Sequence, residues 1–297
     1  MNKFYSHNGI LIGDNGRIMG KKHDPYNPYD LQPFTVRYQF GNLNYDPTVD
    51  YGGDWEPSHG YPTWQSWWGY DCYWTRVSTN PNIWDYTINN TNWYRRLTGW
   101  KFNIKRDGPY YDTIVPCETY TILGINATGV LRMQETFYDA GCRYGLPLFD
   151  TSTVTTIRDL FRQSELVTLP DLDFSNVEDA GSCFYNCDTL RNIPSKISLP
   201  KCTQIGSFLY ECDGLTYLPE LELPSTITGC DRTFGHCPNV RTGILRAYNY
   251  LSSLTITGTQ YANGHESTFY KCGTNTTTGA AELAQVPSDW KEPDDIP

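Results

Sequence analysis

From about residue 119 onward, the apolar positions of the chain recur at a nearly constant interval. The segments "LPLFDTSTVTTIRDLFRQSEL" (146–166), "LPDLDFSNVEDAGSCFYNCDTL" (169–190), "IPSKISLPKCTQIGSFLYECDGL" (193–215) and "LPELELPSTITGCDRTFGHCPNV" (218–240) can be laid over one another. Each reads Leu/Ile-Pro, an apolar residue, a Ser/Thr/Pro turn, a second apolar residue, then Phe or Leu and often Cys. An earlier copy at 122–142 lacks the Leu-Pro start. The anchor falls at Phe137, Phe161, Phe184, Leu209 and Phe234, with spacings of 24, 23, 25 and 25 residues. Cys187, Cys212 and Cys237 each follow their anchor by three, and Phe269 and Cys272 repeat that offset after a longer gap. A period of this length predicts stacked coils, each with one short strand and a looser return. Residues 166–175 have strand-like apolar spacing, and 176–187 suit a short helical return. One coil cannot bury its own apolar edge, so neighbours must stack and the ends need caps. The segment 281–291, with Trp290, is the expected C-terminal lid.

The first half carries a different period. "FTVRYQF" (34–40) alternates, with Phe34, Val36, Tyr38 and Phe40 on one face, which predicts a half-buried strand. Further strands are expected at 72–78, 82–88 and 99–105, with 108–122 leading into the repeats. Residues 45–62 are rich in Gly, Pro and Asp and read as a long loop. "ILIG-DNG-RIMG" in the N-terminal arm reads as a hairpin. The expected fold is thus mainly β: an N-terminal arm or anchor (1–30), a small aromatic-rich β-sandwich-like domain (31–118), a leucine-rich-repeat solenoid (119–244), and a divergent repeat with a C-terminal cap (245–297). The β domain is also expected to cover the first coil. The arm is too small to fold alone and is expected to dock on a neighbouring chain.

The repeats resemble the BspA-type leucine-rich repeats, and "LFDTSTVTTIRDLFRQSELVTLP" (148–170) is close to that family's unit. The later repeats depart from it, replacing Asp-Thr-Ser by "KISLPKC" and "LELPSTI". Such repeats recur in surface proteins of gut and oral bacteria and in virion proteins of the tailed phages that infect them. "FTVRYQF" (34–40) and "WTRVSTNPNIWDYTINNTNW" (74–93), followed by repeats, resemble a lead-in of head-fibre or decoration proteins of crAss-like gut phages. The resemblance implies a binding or scaffolding solenoid, with no catalytic residues to carry over. The function expected from it is a non-enzymatic phage virion protein. It would be a capsid decoration or head-fibre component, anchored through its N-terminal region and displaying the solenoid. Its partners would be other virion proteins, copies of itself, and a host-surface protein or glycan. The alternative is a bacterial surface adhesin binding host proteins or glycans.

Composition narrows the chemistry. Aromatic residues make up 15% of the chain, so burial can offset the entropy of ordering. The net charge of −10, without clustered cations, argues against a nucleic-acid partner. No apolar stretch has the length of a signal peptide or a membrane span, which points to synthesis in a cytoplasm; location in the virion, with the cell surface as the alternative, is what the resemblance implies. Of the nine tryptophans, eight lie between Trp55 and Trp100. Trp74, Trp84, Trp93 and Trp100 sit in strand-like patterns and are expected in a core. Trp64, Trp67 and Trp68, with Tyr70, lie in a loop and are the candidate binding residues for a protein contact or a glycan, with burial in the core as the third reading.

The repeated cysteines are read as a buried, reduced column of small apolar side chains, ahead of a disulfide or a metal site. Cys183 and Cys187 lack a second pair at zinc-site spacing. Asp46, Asp50, Asp54 and Glu56 could hold calcium, but a solvated acidic loop fits their spacing better. His7, His23, His59, His236 and His265 belong to no local nucleophile motif, and no Walker, GxSxG or HExxH pattern occurs. No catalytic residue, cofactor or metal is therefore expected.

Overall fold

The computed structural model describes residues 5–7, 10–12, 34–41, 43–44, 71–89, 120–134, 136–138, 145–258 and 264–292. The protein is mainly β, with ten strands and two short helices among these residues. It divides into two compact units. The first comprises Met1–Arg96, Ile104–Leu131 and Tyr144–Thr153, and the second Leu97–Asn103, Arg132–Arg143 and Val154–Pro297.

In the first unit, β1 (Tyr5–His7) pairs antiparallel with β2 (Ile10–Ile12), Tyr5 opposite Ile12 and His7 opposite Ile10. Of the hairpin expected of 10–13 with 17–20, residues 13–20 lie outside the described residues; the described partner of Ile10–Ile12 is Tyr5–His7. The two residues between the strands are Asn8-Gly9, the dipeptide most favoured in two-residue hairpins. Strands β3 (Phe34–Phe40), β4 (Asp71–Thr79), β5 (Asn82–Asn89) and β6 (Tyr120–Asn126) form one antiparallel sheet in the order β4-β5-β3-β6. The alternation in β3 does what its period requires, burying Val36, Tyr38 and Phe40. Trp84 lies opposite Tyr38, is buried as expected, and donates its indole N–H to Asn82 Oδ1 at 2.8 Å. On the other face, Arg37 and Asp85 are cross-strand partners joined by two hydrogen bonds of 2.7 Å. The bond to Asp85 holds the Arg37 guanidinium above its ordinary pKa.

A second layer for a sandwich is not seen among the described residues, and 99–105 lies outside them. The division read at 118/119 is not where the first unit ends. Tyr120–Asn126, whose apolar residues had suggested the start of a repeat, is the strand that pairs with β3.

The second unit is built of successive turns bonded in parallel. One line of bridges runs Arg132, Thr156, Asp179, Gln204, Gly229, and two further bridges join Thr168 to Asn192 and Tyr217 to Thr242. β7 (Lys196–Ser198) pairs parallel with β8 (Glu220–Glu222), and β9 (Thr226–Ile227) with β10 (Thr255–Ile256). Pro170 carries no N–H, and Leu172 N–H turns back to its carbonyl at 2.9 Å, so 166–175 yields a single bridge at Thr168 and no longer strand.

The return segment is not the short helix its spacing suggested. Among the described residues, ten non-glycine residues have φ between 52° and 58°, and they fall two before and two after Phe161, Phe184, Leu209, Phe234 and Phe269. For Phe161 they are Asp159 and Gln163, and for Leu209 they are Ser207 and Glu211. A helix cannot pass through two left-handed residues per turn. Alternate N–H groups cross to the next coil instead: Asp159 to Gly181 O at 3.0 Å, Phe161 to Cys183 O at 2.8 Å, and Gln163 to Tyr185 O at 2.7 Å. Those between turn back on their own coil, as Leu160 does to Ile157 O and Ser164 to Phe161 O. Neither set is left unpaired, which is what allows polar backbone so close to an apolar interior.

The last coil is closed from the C-terminal side. α1 (Ile244–Leu251) stands where the next strand after β8 would run, and α2 (Thr277–Leu283) follows the final anchor, Phe269. Phe269 N–H bonds to Trp290 O at 2.9 Å, and the buried Trp290 ring stacks at 4.5 Å from His265 and lies edge-on to Tyr248 at 5.4 Å.

Candidate functional site

The anchors Phe137, Phe161, Phe184, Leu209 and Phe234 are all fully buried, as are Cys187, Cys212 and Cys237. Phe137, Phe161 and Phe184 stack in sequence at 5.4 and 5.5 Å. The ring column then shifts. Leu209 keeps the backbone register, since Phe184 N–H bonds to Phe208 O and Leu209 N–H to Thr233 O. The ring that meets Phe184, edge-on at 5.2 Å, is that of Phe208. Where the anchor shrinks to Leu, its neighbour grows to Phe, and the volume of the layer is kept.

The thiols form a second column with a directional role. Cys187 Sγ donates to Phe161 O at 2.9 Å, Cys212 to Phe184 O at 3.0 Å, and Cys237 to Leu209 O at 3.0 Å. Each satisfies the anchor carbonyl of the preceding coil, and Ser164 occupies the same place one coil earlier, 3.6 Å from Cys187. Cys202 and Cys230 lie in other columns, at places where Val154, Val177 and Ile227 or Ile157, Ala180 and Ile205 sit in neighbouring coils. Cys183, Cys187, Cys202, Cys212, Cys230, Cys237 and Cys272 are free and buried. Burial pushes the thiols of Cys187, Cys202 and Cys230 up to about 12. Thiols so far from ionising are poor nucleophiles at neutral pH.

What the buried columns position is an outward one. The residue after the anchor is part-exposed at Tyr138, Arg162, Tyr185, Tyr210 and Tyr270, and these side chains line up along the stack. Arg162 lies over the rings of Tyr138 at 5.7 Å and Tyr185 at 4.6 Å. Tyr185 stacks on Tyr210 at 5.2 Å, Tyr210 meets His236 tilted at 5.2 Å, and His236 meets Tyr270 edge-on at 5.0 Å. One coil breaks the pattern by placing Gly235 after its anchor. A Cβ there would sit 2.9 Å from the Tyr210 ring, so Gly235 makes room for Tyr210 and His236 supplies the next ring. Burial, then Lys271, hold His236 below its ordinary pKa, so it is neutral at pH 7. Burial, then Asp213 and Glu211, raise the Asp188 carboxyl beside the stripe. Tyr185 is raised by burial first and then by Glu211.

The stripe is aromatic with acidic neighbours, and Tyr185 and Tyr210 cover one face of each other. Half-exposed aromatic rings in register suit a contact with another protein. The sequence reading did not single out these positions. Their signal was available: Tyr138, Tyr185, Tyr210 and Tyr270 each follow an anchor.

Trp64, Trp67, Trp68 and Tyr70 lie outside the described residues, as do Trp93, Trp100, Asp46, Asp50, Asp54 and Glu56. Among the described residues, no group of three or more His, Cys, Asp or Glu side chains converges on one point as metal ligands would, and no helix is long and apolar enough to cross a membrane. Compared with known proteins, the chain matches no protein family, no curated protein and no solved structure.

Proposed function

We propose that the second unit is a leucine-rich-repeat solenoid of BspA type, and that the chain is a non-enzymatic virion protein of a tailed phage. It serves as a capsid decoration or head-fibre component that anchors through its N-terminal region, assembles with copies of itself and other virion proteins, and displays its repeats to a host-surface protein or glycan. The observation that carries the repeat assignment is the in-phase thiol-to-carbonyl bonding of Cys187, Cys212 and Cys237 to the anchors one coil back. Matching residues in consecutive repeats meet matching partners, which is how a quasi-one-dimensional stack propagates.

The virion assignment draws on the resemblance of 34–40 and 74–93, and of the repeats, to phage fibre and decoration proteins. A binding role draws on the half-exposed stripe from Tyr138 to Tyr270, since rings kept at the surface in register do no packing work in the interior. Mass spectrometry of purified intact particles tests the assignment. Peptides of this chain at a fixed copy number per capsid are expected; recovery only from the bacterial envelope fraction would replace the virion reading by that of a surface adhesin.

A further inference from the structure

The parallel pair β7–β8 ends at an edge that the fold leaves half covered. Glu220 N–H bonds to Ser195 O at 2.8 Å, and Leu199 N–H bonds to Glu222 O at 2.7 Å. Residues 220 and 222 therefore face β7, and Leu221, between them, turns its N–H and C=O the other way. No described residue pairs with the N–H or C=O of Leu221, or with the C=O of Pro219. At this edge the ladder would continue into the next coil, but α1 stands there. Its side chains close the two ends of the edge. Arg246 donates to Leu218 O at 2.7 Å, and Tyr250 Oη accepts from Leu223 N–H at 2.8 Å. Between them remains a cavity of about 390 Å³.

The cavity has the chemistry of a vacant rung. Its floor is apolar, with Phe234, Leu251 and Ala247. Its mouth holds two ion pairs, Lys196–Glu222 at 2.9 Å and Arg246–Glu220 at 3.2 Å, all four side chains about half exposed. Such exposed pairs are weak and exchange easily. β7 and β8 show what the rung accepts: Lys-Ile-Ser and Glu-Leu-Glu, each with the middle residue buried and its neighbours exposed.

We propose that this edge binds an extended peptide segment as a third parallel strand, with an aliphatic residue directed to the floor and a basic residue on either side of it. The backbone dictates the extended form: one donor between two acceptors, at the spacing of a parallel ladder, matches a peptide main chain. The side chains dictate the pattern. The residue opposite Leu221 points inward, as Leu221 does. Its two neighbours stand beside Glu220 and Glu222, so Lys or Arg is favoured there and Asp or Glu opposed. The site stands apart from the virion assignment, because an isolated chain carries it whole.

The test is fluorescence anisotropy of the full chain with the labelled peptide acetyl-Ser-Lys-Ile-Lys-Ser-amide. Binding tighter than about 1 mM is expected, with at least a roughly tenfold loss when both lysines become glutamate. N-methylation supplies the decisive comparison. The two lysine N–H groups are the donors to Pro219 and Leu221, whereas the isoleucine N–H points away from β8. A methyl on either lysine nitrogen should weaken binding about tenfold, and a methyl on the isoleucine nitrogen should be tolerated. Filling the cavity by Ala247→Phe should abolish binding, and the N-methyl series decides the matter even if that variant does not fold. No binding at about 1 mM, equal binding of the Lys and Glu peptides, or equal sensitivity to all three methyl positions would each overturn the proposal.

Discussion

At the residue scale, the cysteines decide most. The sequence offered three readings of Cys187, Cys212 and Cys237, and their positions select burial as free thiols that bond to the carbonyl of the preceding anchor. Two predictions belong to this scale, the first drawn from the cysteines' environment. Because burial holds Cys187, Cys202 and Cys230 at about 12 against an ordinary value of 9.0, folding favours the protonated form. Below about pH 9 thiols are protonated in both states and this term costs nothing. Above it the unfolded chain loses protons that the folded chain keeps, so stability falls from about pH 9 towards 12. Thermal melts at pH 7.5 and 10 should show the loss, and it should shrink in a Cys187→Ala/Cys230→Ala variant compared at each pH with its own melt at pH 7.5. The second concerns Ser207, whose φ of 56° is imposed by the ladder. Ser207→Val should destabilise by about 1–2 kcal/mol, while Ser207→Gly should be neutral or stabilising, by chemical denaturation. Nothing in a run such as "QIGSFLYEC" announces a left-handed serine, since the requirement comes from hydrogen bonds to the coil beside it.

At the scale of the element, local propensity yields to the stack. The strands of the first unit were legible because an antiparallel sheet leaves a period of two in its sequence, as Val36, Tyr38 and Phe40 display. The return segments were not, because the apolar spacing of Val177, Phe184 and Cys187 suits a helical turn as well as the stacked turns that form. β6 was assigned to the repeats for a related reason: its partner, β3, lies some eighty residues earlier in the chain. Helix α2 shows which effect wins when propensity and packing conflict. Replacing Gly279 by Ala favours an isolated helix by about 1 kcal/mol. A Cβ there, however, would lie 2.2 Å from Val240 O, a backbone atom that cannot move aside cheaply. Gly279→Ala is therefore expected to lower the melting temperature and to expose the edge that α2 covers, read as faster amide exchange near Val240.

At the scale of the whole molecule, a stack of equivalent coils should tolerate loss of one complete coil and no other length. Asp179 and Gln204 occupy the same bridge position in consecutive coils. Excising residues 180–204 joins Asp179 to Ile205 in register, and the shortened protein should fold with a lower melting temperature. Excising 180–199 shifts every later anchor out of its column and should abolish cooperative unfolding, both by circular dichroism. The surface stripe belongs to this scale too, because no single coil contains it. Tyr185→Ala with Tyr210→Ala should cost little stability, as both rings are half exposed, yet should remove a partner contact if the stripe is where one docks, measured by recovery of the variant in assembled particles. The sequence alone determined the period of the second half, the identity of the buried anchors and the alternating strands of the first, because each depends on which faces of a local segment must leave water. Only the tertiary structure decided the left-handed returns, the ring shift to Phe208, the helix standing where a strand would continue the ladder, and the half-covered edge of β8. Those depend on hydrogen bonds and volumes shared with a neighbouring coil, and a residue's own surroundings in the chain carry no record of them.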